Sequence, residues 1–355
     1  MPITWCSYCG EFSQDTIPSC RCGSNEFTTD KNIIGQRELV GMKKRQLMCA
    51  PNEQVGFKDL TYPVMASLKM DGQRIICGNR DIHSKKYKRC GTAVHKKFHK
   101  FLTFAHEHQL VFDAELYSDT LTFSELMSEL APKKHTLHPD IYIQVFDMIP
   151  MAAWNAGKGS APFEERYEAY MKVIQENNYF NKTVFPVTHS SFAGHFVLES
   201  FFQTALEQGY EGLITRSPTS PYKHGRATLN EEYMHKFKEW ITIDAKIVGY
   251  EQSTKMLDDV KGGERTRDAT GMLERSHKKE TRELVEGIGS VKLISDDGIR
   301  FKATRAKDAE FPLEFINWEN KDEFIGKYVE AKFQGHGTKD RPRFARITRF
   351  RPDKD

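Results

Sequence analysis

No run of about 18 apolar residues occurs anywhere in the chain, which excludes a membrane-spanning helix. The opening Met1-Pro2-Ile3-Thr4-Trp5-Cys6 lacks a basic stretch leading into an apolar core, so it does not read as a secretory signal. A cytoplasmic setting follows, where free thiols and zinc thiolates are expected rather than disulfides. Cysteine is sparse after residue 22, where only Cys49, Cys77 and Cys90 remain, and these read as ordinary buried or half-buried thiols. Basic residues are nearly missing from the first 30 positions, which carry Arg21 against four acidic residues. That composition argues against an electrostatic nucleic-acid clamp in this segment.

What is present is a soluble-type composition, 39% hydrophobic and 28% charged. At 355 residues the chain has room for two domains and a small appendage. The net charge of +3 hides an uneven distribution. Residues 31–110 hold 16 Lys/Arg against 6 Asp/Glu, residues 111–240 hold 11 against 17, and the last 17 residues hold 7 against 3. Basic charge therefore gathers in two places, as gripping a polyanion requires. Within the first cluster, Lys85-Lys86-Tyr87-Lys88-Arg89 suits a solvated face and a phosphate contact equally well.

Four of the seven cysteines fall in the first 22 residues, as Cys6-x2-Cys9-Gly10 and Cys20-x-Cys22-Gly23. Paired thiolates on glycine turns suit tetrahedral structural zinc. A segment this short cannot bury enough apolar surface to fold alone, so a metal would supply the missing stabilisation. The pattern predicts a zinc ribbon or knuckle over residues 1–30. Trp5, Tyr8 and Phe12 would form its small core, and it would dock on the neighbouring domain or on a partner protein.

The string Lys69-Met70-Asp71-Gly72-Gln73-Arg74 carries the chemistry. It closes an apolar stretch, Tyr62 to Leu68. A free lysine is a poor nucleophile, with a pKa of roughly 10.4. Beside a bound metal or another cation it can become a reactive amine. Gly72 permits a tight turn and close approach of a ligand, and Arg74 offers a planar fork for phosphate. Taken alone, the string also fits an ordinary Asp-Gly hairpin between two strands. It resembles the active-site motif of the covalent nucleotidyltransferases, which comprise DNA ligases, RNA ligases and mRNA capping enzymes. In that family the lysine attacks the α-phosphate of a nucleotide.

Further segments match the family in order. Leu110-Val111-Phe112-Asp113-Ala114-Glu115-Leu116 alternates as a strand and resembles the motif whose glutamate binds nucleoside and metal. Ile141 to Met148 is another strand, and it resembles the segment whose aromatic residue, here Phe146, stacks on the base. Two helices follow as scaffold. One is capped by Ser160, with Phe163, Tyr167, Tyr170 and Ile174 at helical spacing, and the other runs from Glu199 to Gln208. Tyr210-Glu211-Gly212-Leu213-Ile214 resembles the motif whose glutamate reaches magnesium. Met234-His235-Lys236-Phe237-Lys238 resembles the motif whose two lysines face the α-phosphate. Arg80 stands where the family carries a further arginine.

Residues 241–355 read as short strands, with a hairpin at Asp296-Asp297-Gly298. Five such strands suit an OB-fold barrel. The tail, Arg351-Pro352-Asp353-Lys354, resembles the last ligase motif, in which Arg351 and Lys354 orient the β,γ-phosphates. Residues 255–286 resemble a basic insertion of some phage-type ligases and read as a mobile loop that covers DNA.

The resemblance spans roughly residues 45–354 and implies an α+β protein. It would have an ATP-grasp-like nucleotidyltransferase domain of antiparallel sheets flanked by helices over 31–240, an OB-fold β-barrel over 241–355, and the zinc module at 1–30. It implies a monomeric, phage-type ATP-dependent DNA ligase in a bacterial or phage-infected host cytoplasm, serving replication, repair or recombination and acting on nicked duplex DNA. A replication or repair protein on the zinc module is a candidate partner. ATP is the implied cofactor, with Mg2+ (or Mn2+) on Glu115 and Glu211 and structural Zn2+ on Cys6, Cys9, Cys20 and Cys22. Lys69, Asp71, Lys236 and Lys238 are the implied catalytic residues. Arg74, Arg80, Glu115, Phe146, Glu211, Lys236, Lys238, Arg351 and Lys354 are implied to bind the nucleotide. The barrel would close on ATP for the first step and swing away afterwards, hinging near Trp240 to Asp244. Too few residues precede Lys69 for a nicotinamide-binding domain, so ATP is favoured over NAD. An RNA ligase or GTP-dependent capping guanylyltransferase shares the same pocket. A catalytically dead, zinc-containing DNA-binding accessory protein is the alternative of another class.

Overall fold

The computed structural model describes residues 42–158, 160–177, 183–257, 267, 282–306, 318–335 and 341–354, together with the backbone of three short strands near the start. Those strands are β1 (Thr4–Cys6), β2 (Phe12–Ser13) and β3 (Phe27–Thr28), in the order β2-β1-β3. Cys6 ends β1, but its side chain, and Cys9, Cys20 and Cys22 altogether, lie outside the described residues, as does the predicted zinc site.

The chain divides into two compact units. The first comprises residues 1–204 and 213–236. Its strands are β4 (Val64–Lys69), β5 (Gln73–Gly78), β6 (Asp81–Ser84), β7 (Leu110–Tyr117), β8 (Tyr142–Pro150), β9 (Val184–Pro186) and β10 (Ser190–Phe192). Strands β11 (Gly212–Arg216) and β12 (Met234–Lys238) complete its sheets. Among them run helices α1 (Thr92–Lys97), α2 (His99–Glu107), α3 (Phe123–Glu129), α4 (Met151–Ala156), α5 (Phe163–Glu176) and α6 (His195–Glu207). Two sheets result, ordered β6-β5-β7-β8-β9 and β10-β4-β11-β12.

Alternation along the strands assigns the faces of the larger sheet. Ile75, Cys77, Phe112, Ala114 and Leu116 enter one core with Phe101 and Tyr170, under helices α2 and α5. Ile76 and Val111 enter a second core with Leu47, Met48, Trp154 and Tyr222. Arg74, Asp113 and Glu115 keep phase with this second face. Helix α5 starts without a side-chain cap after Pro162, whereas the sequence predicts Ser160 as its cap. The Ser160 hydroxyl instead accepts from the backbone N–H of Tyr222 at 2.6 Å, tying the helix entry to the second core.

The second unit comprises residues 205–212 and 237–355. It is a closed, OB-like barrel ordered β13-β14-β15-β17-β16, from β13 (Ile241–Met256), β14 (Arg282–Ser295), β15 (Arg300–Arg305), β16 (Tyr328–Phe333) and β17 (Arg346–Phe350). All neighbours pair antiparallel except β15 with β17. Ala245, Ile247, Leu293, Phe333 and Ile347 fill it. The sequence suggests short strands throughout, but two of the five are long. Strands β13 and β14 stay paired well past the barrel, out to Met256↔Arg282, across several register shifts. Both ends of the expected 255–286 loop are therefore ladder.

Candidate active site

Lys69 is the last residue of β4 and Gln73 the first of β5, yet the two strands belong to different sheets. Met70-Asp71-Gly72 is therefore a crossover between sheets, not the tip of a hairpin. Gly72 is required by space. A Cβ there would strike the Leu116 carbonyl oxygen and lie 2.7 Å from Glu115 Cγ. The missing side chain lets the lysine string pack directly on the strand that carries Glu115. Lys69 is half-buried, and its Nζ lies 3.4 Å from the Met70 carbonyl oxygen.

Arg74 turns to a carboxylate in its own sheet. Its Nε and Nη2 donate to Asp113 Oδ1 and Oδ2 at 2.9 and 2.6 Å. Asp113 is fully buried and also accepts from the Tyr222 hydroxyl at 2.6 Å. Burial alone would lower the Arg74 pKa, but Asp113 outweighs it and raises it further above the usual range. Burial, with Asp113 beside it, pushes the Tyr222 phenol well up, so it stays a donor. The third guanidinium nitrogen, Nη1, lies 3.9 Å from Cys49 Sγ.

The Arg74 guanidinium lies over the Phe146 ring, 5.1 Å from its centroid. Phe146 owes its position to a β-bulge. Asp113 pairs with Asp147 and Ala114 with Val145, which leaves Phe146 as the extra residue of β8. A bulge re-aims the side chain it carries, and this ring is half-buried. Next to it, fully buried Asp147 accepts from Arg166 Nε at 2.8 Å and from Arg216 Nη1. Burial raises the Asp147 pKa, and the two guanidiniums more than reverse that, holding it below the usual carboxylate range.

Arg80 sits in the two-residue turn joining β5 to β6, where Asn79 and Arg80 have φ of 52° and 60°. Two successive left-handed residues are what a tight type I′ connection needs. Asp81 steadies the turn by accepting from Arg89 Nε at 3.0 Å and meeting His95 Nε2 at 2.5 Å. Lys85, Lys86, Lys88 and Arg89 are exposed around buried Tyr87.

Strand β12 neighbours β11. Lys236 Nζ donates to the Pro51 carbonyl. In the second unit, Lys238 Nζ forms an ion pair with Glu211. Gly212 (φ +141°) makes room for this, since a Cβ there would collide with the Phe237 carbonyl between the two lysines. Also in the second unit, Arg351 and Lys354 pair with Asp244.

Glu115 and Glu211 are half-buried carboxylates. Each by itself suits a magnesium ion by donor type, since that ion is held by one or two carboxylates together with substrate phosphates. Among the described residues, no group of three or more His, Cys, Asp or Glu is arranged to hold a metal by itself. Sequence reasoning names Lys69, Arg74, Glu115 and Phe146, but it misses Asp113, Asp147, Arg166, Tyr222 and Asp244. A signal exists for Asp113, because a charge within the apolar run Val111-Phe112 needs a buried partner.

None of the described helices is long and apolar enough to cross a membrane. The family described as ATP dependent DNA ligase domain matches residues 50–238. No curated protein matches the chain. Among solved structures, one described as Pmar-Lig_PreS3 is 18% identical, with 91% of this chain and 71% of that chain covered and a TM-score of 0.65. A structure from a study of DNA binding by the minimal scaffold of Lig E DNA ligases is 17% identical, covering 87% of this chain and 100% of that one, with a TM-score of 0.59. The DNA ligase–adenylate of Chlorella virus is 20% identical over 88% of this chain and 99% of that one, with a TM-score of 0.47.

Proposed function

This chain belongs to the ATP-dependent DNA ligase family, and from that premise we propose that Lys69 is the amine that carries the adenylate. The enzyme seals nicks in DNA with ATP, through an adenylate intermediate. One observation carries the assignment of the lysine. Gly72 has no room for a side chain, so Lys69 is held on a sheet crossover that packs against Glu115.

In the proposed first step the neutral Lys69 amine attacks the α-phosphorus of ATP. A P–N bond forms, the bond to the β-phosphate oxygen breaks, and pyrophosphate leaves with the electron pair. A 5′-phosphate oxygen at the nick then attacks the same phosphorus and returns the amine. Finally the 3′-hydroxyl attacks the 5′-phosphate, the strand closes, and AMP departs.

Phe146 offers a face for the base, and the bulge sets its angle. Arg74, fixed by Asp113, lies over that ring and keeps its charge near the nucleotide. Asp71 orients the lysine string. Lys236 and Lys238 supply positive charge where the α-phosphate reacts, and Arg80 is a further nucleotide contact. Arg351 and Lys354 serve the leaving pyrophosphate. When bound by Glu115 and Glu211, magnesium supplies charge that stabilises the transferred phosphate. The barrel is read as an OB-fold that holds duplex DNA, and the cysteine quartet as a structural zinc set.

The test is transfer of label from α-labelled ATP or GTP to the protein, followed by sealing of nicked DNA or nicked RNA. Labelling by ATP and sealing of DNA are expected. Labelling by GTP alone would make the chain a capping-type enzyme, and sealing of RNA alone an RNA ligase.

A further inference from the structure

On the outer face of the barrel, Asp244 of β13 stands directly opposite Glu330 of β16. Like charges so placed destabilise a sheet unless cations gather on them, and here they do. Arg351 Nη1 donates to Asp244 Oδ1 and Oδ2 at 2.8 and 3.0 Å. Lys354 Nζ lies 2.8 Å from Asp244 Oδ2. Glu330 is occupied mainly by Arg349 Nη2, at 2.8 Å, and stands 4.0 Å from Arg351 Nη1.

Arg351 also binds Asp353, through Nε and Nη2 at 2.9 and 2.8 Å. That bond is local and its carboxylate is 62% exposed, so it travels with the turn. Asp244 is different, because it is 107 residues away and built into a barrel strand. Residues 352–354 form a single 3-10 turn with no buried residue. The backbone of Arg351 is anchored to the Tyr328 carbonyl at 2.9 Å. The directions of its side chain and of Lys354 are set together by one carboxylate. Both side chains are rich in rotamers, so fixing them before ATP arrives removes an ordering cost from the reaction.

We propose that Asp244 is a positioning residue for the ATP-dependent first step, clamping Arg351 and Lys354 side by side so that they meet the leaving pyrophosphate as one preorganised pair. The proposal rests on the reading above that these two cations serve the leaving group.

The test uses the full chain, freed of adenylate, as parent, D244N, R351A/K354A and the triple variant. D244N keeps the size of the side chain and removes its charge. Two rates are measured. One is adenylate transfer to the protein at varied ATP with magnesium. The other is sealing of a synthetic nick that already carries a 5′-adenylate, a reaction that needs no triphosphate. In D244N, kcat/KM for adenylate transfer is expected to fall at least about tenfold. Sealing of the adenylated nick should stay within about twofold of the parent. In the R351A/K354A background, D244N should cause no further loss, because it acts through those side chains.

Equal loss of both reactions in D244N would make Asp244 a mere support of the barrel and overturn the proposal. Unchanged or faster adenylate transfer would overturn it too. Parental adenylate transfer by R351A/K354A would instead sink the leaving-group reading on which the proposal stands. A slow R351A/K354A beside a normal D244N would remove the role of Asp244 alone.

Discussion

Arg74 donates twice to Asp113, a carboxylate with no exposure, and lies over Phe146. Its charge near the nucleotide therefore depends on a residue 39 positions away. D113N leaves a largely buried guanidinium without its counter-charge, and such losses cost about 3 kcal/mol or more. Denaturant unfolding should show that loss, and the KM for ATP in adenylate transfer should rise with it. A D113N chain as stable as the parent would contradict this ion pair. G72A should also lose adenylate transfer and about 1–3 kcal/mol of stability, because overpacking strains the neighbours. The clash there is with backbone, the Leu116 carbonyl, which has little freedom to yield. The residues proposed as reactive could be named from the sequence because their types cluster in short strings. The buried polar groups around them could not be, since Asp113, Asp147 and Tyr222 find their partners only when residues distant in sequence meet.

At the scale of elements, the alternation of Leu110 to Leu116 and the helical spacing from Phe163 to Ile174 announced β7 and α5 with little error. Two features escaped the pattern. A hairpin and a sheet crossover look alike at Asp71-Gly72, because both need a glycine. The bulge at Phe146 adds one residue to β8, and only the register with β7 reveals it. Between α5 and β10, His189 is 6% exposed and packs edge-on against Phe163. Burial, then the charge of Arg216, pushes its pKa down to about 3 from an ordinary 6.5. The folded state thus keeps His189 neutral while the unfolded state protonates it. Its contribution is complete above 6.5 and is lost as pH falls from there towards about 3. Asp147, held low by its two arginines, adds a loss of the same sign below the ordinary carboxylate value of 3.8. Thermal melts from neutral to acid pH should show Tm falling below about 6.5, and H189Q should flatten that fall. An H189Q chain with the parental pH dependence would remove His189 as its cause.

At the scale of the whole molecule, the local excess of basic residues in 31–110 implies binding to DNA through counterion release. Affinity for nicked duplex should fall at least about tenfold between roughly 50 and 200 mM salt. Replacing exposed Lys85, Lys86 and Lys88 by alanine should reduce the salt slope by about 0.9 for each phosphate that is no longer neutralised. An unchanged slope would assign that cluster to a solvated face. A sheet-rich first unit and a five-stranded second unit were both foreseeable from strand spacing. The length of the β13–β14 ribbon was not, because its polar residues carry no burial signal. Nick sealing from ATP, as proposed, depends on the amine of Lys69 becoming covalently charged. The most direct measurement is the mass of the intact chain after incubation with ATP and magnesium, followed by peptide mapping. One added adenylyl group on Lys69, absent in K69A, is the predicted result. An unchanged mass, or an adenylyl group mapped to a different side chain, would contradict it.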